Sequence, residues 1–302
     1  MPVITEKTEK TEKVEADYRC YFCFARTFER LIEKLSLSAI EKKKLAAEMF
    51  ALFQSGDDGF SVPVLSRELY KLYSERSGIA DPYKKIKFES NNQILNRYET
   101  LRRRIDCSDD PFETALRLAI AGNIIDYGVF DSFDLEQTIE KVMNSEFAIN
   151  HVAQLKQRLF EAKTVLYIGD NAGEIVFDKL FIETFRHPNI WYAVRGSPAI
   201  NDVTRRDAAQ VRMEEVARVI DNGYDAPSTM PEKCSPAFQQ LYNEADLVIS
   251  KGQGNLEGLI NVSRGNIFFL LMVKCDVIAD RLGVPKSSFV CVGNKPKKEQ
   301  ER

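Results

Sequence analysis

Histidine is scarce in this chain of 302 residues: there are two, His151 and His187. Neither sits beside a serine or cysteine in a triad context, which leaves histidine-based nucleophilic hydrolysis without support. No H-E-x-x-H occurs, so a zinc protease is disfavoured. Long apolar runs are missing as well, and none approaches the roughly 20 residues that span a bilayer. The phosphate-cradling G-x-x-x-x-G-K-[ST] and the dinucleotide signature G-x-G-x-x-G are both absent, which disfavours a nicotinamide or flavin cofactor. The Asp-x-Asp strand end of aspartate-nucleophile phosphatases is missing too, because position 172 is Ala. A net charge of −3 lacks the strong basic excess of a general nucleic-acid binder.

What is present is an ordinary globular composition, 44% apolar, enough for a sizeable core. Residues 1–16 are rich in Lys, Glu and Thr and read as a charged, solvated tail with no apolar stretch of signal-peptide type. Residues 295–302 read the same way. There are six cysteines. Without an export signal they are expected reduced in a cytoplasmic protein, and Cys275 and Cys291 read as small core residues. Cys20-Tyr21-Phe22-Cys23 stands apart. Such a pair can pack, bind metal or cycle as a dithiol, but no second pair completes a four-cysteine zinc site.

The chain divides by the period of its apolar residues. Residues 17–157 carry helical spacing, as in Ile40 to Phe53, where Ser38 and Glu41 form a possible capping box. Further helices are expected over Ser66–Arg76, Asn91–Ile105 and Pro111–Gly122, with a turn at Gly56-Asp57-Asp58-Gly59. Residues 158–294 alternate strands with helices. Candidate strands are Thr164–Ile168, Ile190–Val194, Arg218–Ile220, Leu247–Ser250, Ile267–Leu271 and Phe289–Val292. That order implies βαβ units and a Rossmann-like, doubly wound, largely parallel sheet. The expected architecture is therefore an N-terminal all-helical domain on an α/β domain. The boundary is soft, because Asn144–Ala162 reads as one connecting helix.

In open α/β sheets, ligands bind beyond the carboxyl ends of the strands. The most informative strand end is Ile168-Gly169-Asp170-Asn171-Ala172-Gly173-Glu174. Its acid and amide offer hard oxygen ligands for a divalent ion, or alternatively a cap for the helix that follows. The second strand runs into Asn201-Asp202, another amide-acid pair, so Asp170, Asn171 and Asp202 together could hold a metal. Asp207 is a less favoured alternative ligand. A later strand ends in Lys251-Gly252-Gln253-Gly254-Asn255, where a lysine beside two glycines forms a plausible phosphate cradle. In the helical half, Asn123 and Asp126 share a face if helical and sit among apolar residues. A polar pair in such surroundings needs partners, either backbone or substrate.

Taken in order, Gly122-Asn123-Ile124-Ile125-Asp126, Gly169 to Glu174, Asn201-Asp202-Val203-Thr204 and Ser250 to Asn255 resemble the damage-control phosphatase family, also called domain of unknown function 89. Cys20-x-x-Cys23 resembles that of its archaeal and bacterial-type branch. The similarity covers about residues 17–293. It implies a divalent-metal-dependent phosphatase, using Mn, Co, Ni or Mg, acting on a small phosphorylated metabolite, with no nucleic-acid or membrane partner. By this resemblance Asp170, Asn171 and Asp202 are the metal ligands, and Asp170 and Lys251 are catalytic, with Lys251 near the transferred phosphate. Asn123 and Asp126 contact substrate, and Asn201, Gly252 and Glu174 are expected beside it. Glu174 and Asp207 are candidates for the general acid. The resemblance also leaves two alternatives: an S-adenosylmethionine-dependent carboxyl methyltransferase, against which the missing methyl-donor glycine loop counts, and a non-catalytic metal- or metabolite-binding protein.

Overall fold

A computed structural model describes residues 16–55, 61–122, 135–262 and 264–294. The two charged tails, the Gly56–Gly59 turn and the Asn123–Asp126 segment fall outside them, apart from Ala16.

The first half is helical. It comprises α1 (Tyr18–Glu33), α2 (Ala39–Ser55), α3 (Val62–Ser77), α4 (Lys84–Leu95), α5 (Tyr98–Asp106), α6 (Pro111–Gly122) and α7 (Leu135–Met143). The predicted capping box of α2 is formed. Ser38 donates its backbone N–H and its hydroxyl to Glu41 Oε2 at 2.8 and 2.7 Å, and Glu41 N donates back to Ser38 Oγ at 3.3 Å. The helix expected over Asn91–Ile105 is two helices, α4 and α5, because the backbone leaves helical geometry at Arg97 (φ −111°, ψ 4°).

The second half continues with β1 (Phe147–Asn150), α8 (Val152–Glu161), β2 (Val165–Ile168), α9 (Glu174–Phe185), β3 (Ile190–Val194), α10 (Arg205–Gln210) and β4 (Arg218–Asp221). It ends with α11 (Pro236–Glu244), β5 (Leu247–Lys251), α12 (Gly252–Leu259), β6 (Ile267–Met272), α13 (Asp276–Leu282) and β7 (Phe289–Gly293). All six predicted strands are present, their ends shifted by at most one residue. The connecting helix expected over Asn144–Ala162 is instead β1 followed by α8. Four residues carry too little pattern to declare a strand, and β1 exists by pairing in parallel with β7, some 140 residues later.

The sheet runs β1-β7-β6-β5-β2-β3-β4. Every pairing is parallel except β6 with β7. Thus β2, β3, β4, β5 and β6 all aim their carboxyl ends the same way. The order reverses at β2, whose neighbours are β3 on one side and β5 on the other. A topological switch point of this kind opens a crevice at the strand's end.

Strand β2 is buried on both sides, as its unbroken apolar run requires. Val165 and Tyr167 face a core shared with α6 and α9, whereas Leu166 and Ile168 face a second core shared with α11, α12 and α13. A third, smaller core, centred on Phe28, Leu45 and Leu69, holds α1, α2 and α3 together.

Candidate active site

Asp170 and Asn171 leave the end of β2, and Asp202 leaves the loop after β3. The two segments are stitched together. Val203 N donates to Asp170 O at 2.8 Å, Ala172 N to Asn201 O at 2.9 Å, and Asn171 and Asp202 form an isolated antiparallel bridge. The acid-amide pairs that lie far apart in sequence are thereby brought side by side. Asp170, Asn171, Asn201 and Asp202 all line one cavity of about 1130 Å³, whose far wall comes from α1, α3 and the start of α4.

Asp170, Asn171 and Asp202 are buried, and Asn201 is partly so. Asn171 Nδ2 donates to Asp170 Oδ2 at 2.7 Å and to Glu174 Oε2 at 3.2 Å. This orientation turns the amide oxygen away from both carboxylates. Arg195, 1% exposed, donates through Nε to Asp202 Oδ2 at 2.6 Å and through Nη1 to Thr229 Oγ1 at 2.9 Å. Its Nη2 lies 3.8 Å from Asp170 Oδ1. Burial pushes the Asp170 carboxyl well above the usual carboxylate range, and the charges of Asp202 and Glu174 push it further. Burial also raises Asp202, against the pull of Arg195. A site that makes two carboxylates this costly to ionise gains from a divalent cation. Two carboxylates and an amide oxygen are hard donors suited to such an ion. Among the described residues no group of three or more His, Cys, Asp or Glu side chains is placed to hold a metal ion.

Gly252 is what lets β5 approach this site. Its φ is +76°, in the left-handed region, and a Cβ there would lie 1.9 Å from Asp170 Oδ2. The α12 start can therefore lie against the Asp170 carboxylate only with glycine at this position. Asn255 fixes the same corner, donating through Nδ2 to Gly169 O at 3.1 Å and to Lys251 O at 2.8 Å.

Lys251 stands where the sequence places it, at the end of β5, but its side chain turns inward. Nζ donates to Ala119 O at 2.8 Å, Glu174 Oε1 at 2.7 Å and Asp178 Oδ1 at 2.6 Å. An ammonium has three N–H donors, and here all three are engaged. The residue is fully buried. Burial alone would lower its pKa, but Asp178 and Glu174 outweigh that and hold it above its ordinary value. Asp178 also accepts from the hydroxyls of Tyr167 at 2.7 Å and Tyr192 at 2.8 Å. Neither Lys251 nor Glu174 lines the cavity. The two form an internal ion pair behind Asn171, away from the substrate side expected for both. The sequence offers little sign of this arrangement: Asp178 is one of four charged residues in α9, with Glu174, Lys179 and Glu183.

Asp207 is likewise occupied. It closes the capping box of α10 with Thr204 N at 2.9 Å and faces Lys87 Nζ at 3.3 Å. Lys87 Nζ also donates to Asp202 O at 3.4 Å, and Asn91 Oδ1 accepts from Gly173 N at 2.6 Å. Helix α4 thus props both metal-candidate loops, a role that the sequence reading assigned to neither Lys87 nor Asn91.

Cys20 and Cys23, on α1, line the cavity, and so do Glu257, on α12, and Cys275, just before α13. Burial, with the charge of Glu257 second, pushes the Cys20 thiol up to about 11. Cys23 shifts the same way, with burial again the leading cause. Both are therefore protonated thiols at neutral pH rather than poised nucleophiles. Burial pushes the Glu257 carboxyl from an ordinary 4.5 up to about 7, opposed by Gln253 and Arg281. Between those values the folded chain holds its proton more tightly than the unfolded chain. Glu257 therefore costs stability as pH rises through this window, by about 3 kcal/mol at most. Glu257→Gln should flatten that decline. Urea midpoints of both proteins at pH 5 and pH 8 check this, and equal declines would overturn it.

An oxygen-donor cluster at the switch point of a largely parallel sheet, beside a cavity of about 1130 Å³, marks the candidate active site of an α/β enzyme. Comparison with known proteins makes the class specific. Residues 16–290 match the damage-control phosphatase ARMT1-like domain, and the chain belongs to that family. It is 32% identical over 287 residues to the damage-control phosphatase PH1575 of Pyrococcus horikoshii, covering 92% of this chain and 98% of that one. It is 31% identical over 227 residues to a damage-control phosphatase of Archaeoglobus fulgidus, covering 73% and 78%. The crystal structure of the Pyrococcus horikoshii protein superposes with a TM-score of 0.86 at 29% identity, covering 93% of this chain and 100% of that one. The family comprises metal-dependent phosphatases of damaged metabolites, and this chain is a phosphatase. Methyl transfer is the weaker reading.

Proposed function

We propose that the chain hydrolyses phosphate monoesters of small metabolites, sugar phosphates or damaged phosphometabolites, with a divalent ion held by Asp170, Asn171 and Asp202. The observation that carries this is the meeting of those three residues on the cavity wall, with Asp170 held above the usual carboxylate range. Mn, Co, Ni and Mg all suit the donor set. A bound ion would supply Lewis-acid neutralisation of a phosphoryl oxygen.

The chain's own groups do the remaining work. Arg195 fixes the Asp202 carboxylate, and Asn255 locks the ends of β2 and β5. The start of α12, which Gly252 brings against Asp170, is proposed to oppose the charge of the phosphoryl oxygens through its backbone amides. Water attacks phosphorus in line with the departing ester oxygen. Phosphoryl transfer rests on positioning and electrostatics, so the near absence of histidine is no obstacle. Asn201 is proposed at the substrate from its place in the cavity wall. Asn123 and Asp126 are proposed there from the family resemblance alone.

Two further readings belong to the proposal. Six free cysteines and a net charge of −3 support a cytoplasmic enzyme without a nucleic-acid partner. Cys20 and Cys23 support placement in the branch that carries this pair. No described helix is long and apolar enough to cross a membrane.

The test is phosphate release from p-nitrophenyl phosphate and fructose 1-phosphate with each of the four metals and with chelator. Release is expected only with metal. No release with any metal across a panel of phosphosugars would favour a binding protein, and methyl transfer from S-adenosylmethionine would favour the other enzyme.

A further inference from the structure

We infer that Ile200 is a specificity-determining residue, its side chain meeting the apolar face of the alcohol that carries the phosphate; the inference rests on the phosphatase reading of the site. Ile200 sits in the turn that delivers Asp202. Asp202 N donates to Ala199 O at 3.0 Å, so Ile200 and Asn201 are the central residues of a β-turn. Ile200 has a φ of +50°, in the left-handed region, whereas Asn201 has no positive φ. A positive φ at the first central position alone is the pattern of a type II′ turn, where glycine is the usual residue. A β-branched side chain is an outlier in that conformation.

Core packing does not account for the strained isoleucine. Among the described residues Ile200 belongs to none of the three apolar cores, and it is only partly buried. It lines the cavity instead, with Asp170, Asn171 and Asp202. The other described non-glycine residues with positive φ are Arg186, Arg212 and Ser287; none is β-branched and none lines the cavity. Ile200 thus keeps a large apolar side chain where the backbone favours glycine, and the cavity is the place left for it to act. Tyr83 and Ile86, at the start of α4, line the same cavity. Lys87, next on that helix, donates to Asp202 O at 3.4 Å, which ties their end of α4 to the turn. Apolar surface therefore stands beside the proposed metal ligands. A substrate held by its phosphate at Asp170 and Asp202 meets that surface with the carbon skeleton next to the ester oxygen. Alcohols that present an aromatic ring or a continuous C–H face cover it, and small hydroxylated ones leave it wet.

The test compares p-nitrophenyl phosphate with glycerol 1-phosphate in the presence of Mn²⁺. In Ile200→Gly the preference for the aryl ester, read as a ratio of kcat/KM values, should fall about 10-fold or more, the size of a lost apolar contact in a binding pocket. Most of that fall should lie in KM for the aryl ester. Ile200→Asn tolerates the same φ without offering apolar surface and should behave alike, whereas Ile200→Val should keep most of the preference. Thermal stability of Ile200→Gly should hold, since glycine relieves the backbone strain. Mn²⁺ affinity and the inhibition constant of inorganic phosphate should stay as in the wild type, because neither ligand has a carbon skeleton to meet Ile200. An unaltered ratio in both Ile200→Gly and Ile200→Asn overturns the inference. So does an equal loss on the two esters joined to a loss of Mn²⁺ affinity, which would make Ile200 a support of the turn and not a contact of the substrate. If wild-type protein releases phosphate from neither ester with any metal, the phosphatase reading fails and takes this inference with it. If wild type releases phosphate and the variants share its preference, only the role of Ile200 falls.

Discussion

Lys251→Met is expected to cost about 3–5 kcal/mol of folding stability, the size typical of removing one partner from a buried ion pair. The lost ammonium leaves Glu174 and Asp178 facing each other in a fully buried site. Burial already raises the Asp178 carboxyl, with Lys251 the leading counterweight. Without Lys251 the Asp178 carboxyl should take up a proton in the folded state. The defect should therefore be smallest at acid pH, where the unfolded chain is protonated too, and should grow as pH rises past the ordinary carboxylate range. Urea unfolding of the variant at pH 5 and pH 8 reads this directly. Adding Asp178→Asn and Glu174→Gln should restore much of the loss, since a neutral cluster no longer needs a cation. A variant that keeps wild-type stability while losing phosphate affinity would return Lys251 to the phosphate.

Gly252→Ala is expected to lower kcat/KM by about 100-fold or more. A Cβ at this position would lie inside contact distance of all three carboxylate atoms of Asp170: 1.9 Å from Oδ2, 2.2 Å from Cγ and 2.8 Å from Oδ1. The +76° φ adds backbone strain that alanine tolerates poorly. Either the carboxylate or the α12 start must move, and displacement of reacting groups by about 1 Å costs roughly that factor. Metal titration should show weakened affinity as well, because Asp170 is the proposed ligand nearest the intruding methyl. Normal turnover with normal metal affinity would show that the Asp170 carboxylate does not have to stay where it is.

Much of this molecule could be read from its amino acids, for identifiable physical reasons. Strands such as Val165–Ile168 and Ile267–Met272 are buried on both faces, so they appear as unbroken apolar runs between turns. The strand ends Asp170-Asn171, Asn201-Asp202 and Lys251-Gly252 are polar exactly where such runs stop, and a parallel sheet collects them at one edge. What sequence could not supply was direction. Lys251 and Lys274 both follow apolar strands, yet one turns toward the acids of α9 and the other lines the cavity. That choice depends on Glu174 and Asp178 sitting one helical turn apart beneath β5, a long-range fact. The strand β1 was hidden for a similar reason, since its only reason to be extended is β7. The contributions of Lys87 and Asn91 were hidden in a helix whose charge pattern gives no sign of what it touches.

Those two residues have a further consequence. Lys87 reaches the carbonyl of Asp202, and Asn91 holds the amide of Gly173, so the two loops that would grip the ion are braced from outside the sheet. The catalytic floor is therefore not a portable module. An α/β half expressed alone would keep the acids but lack the scaffold that orients them. A change on the distant face of α4 that shifts the helix by a fraction of a turn would be felt first as altered chemistry.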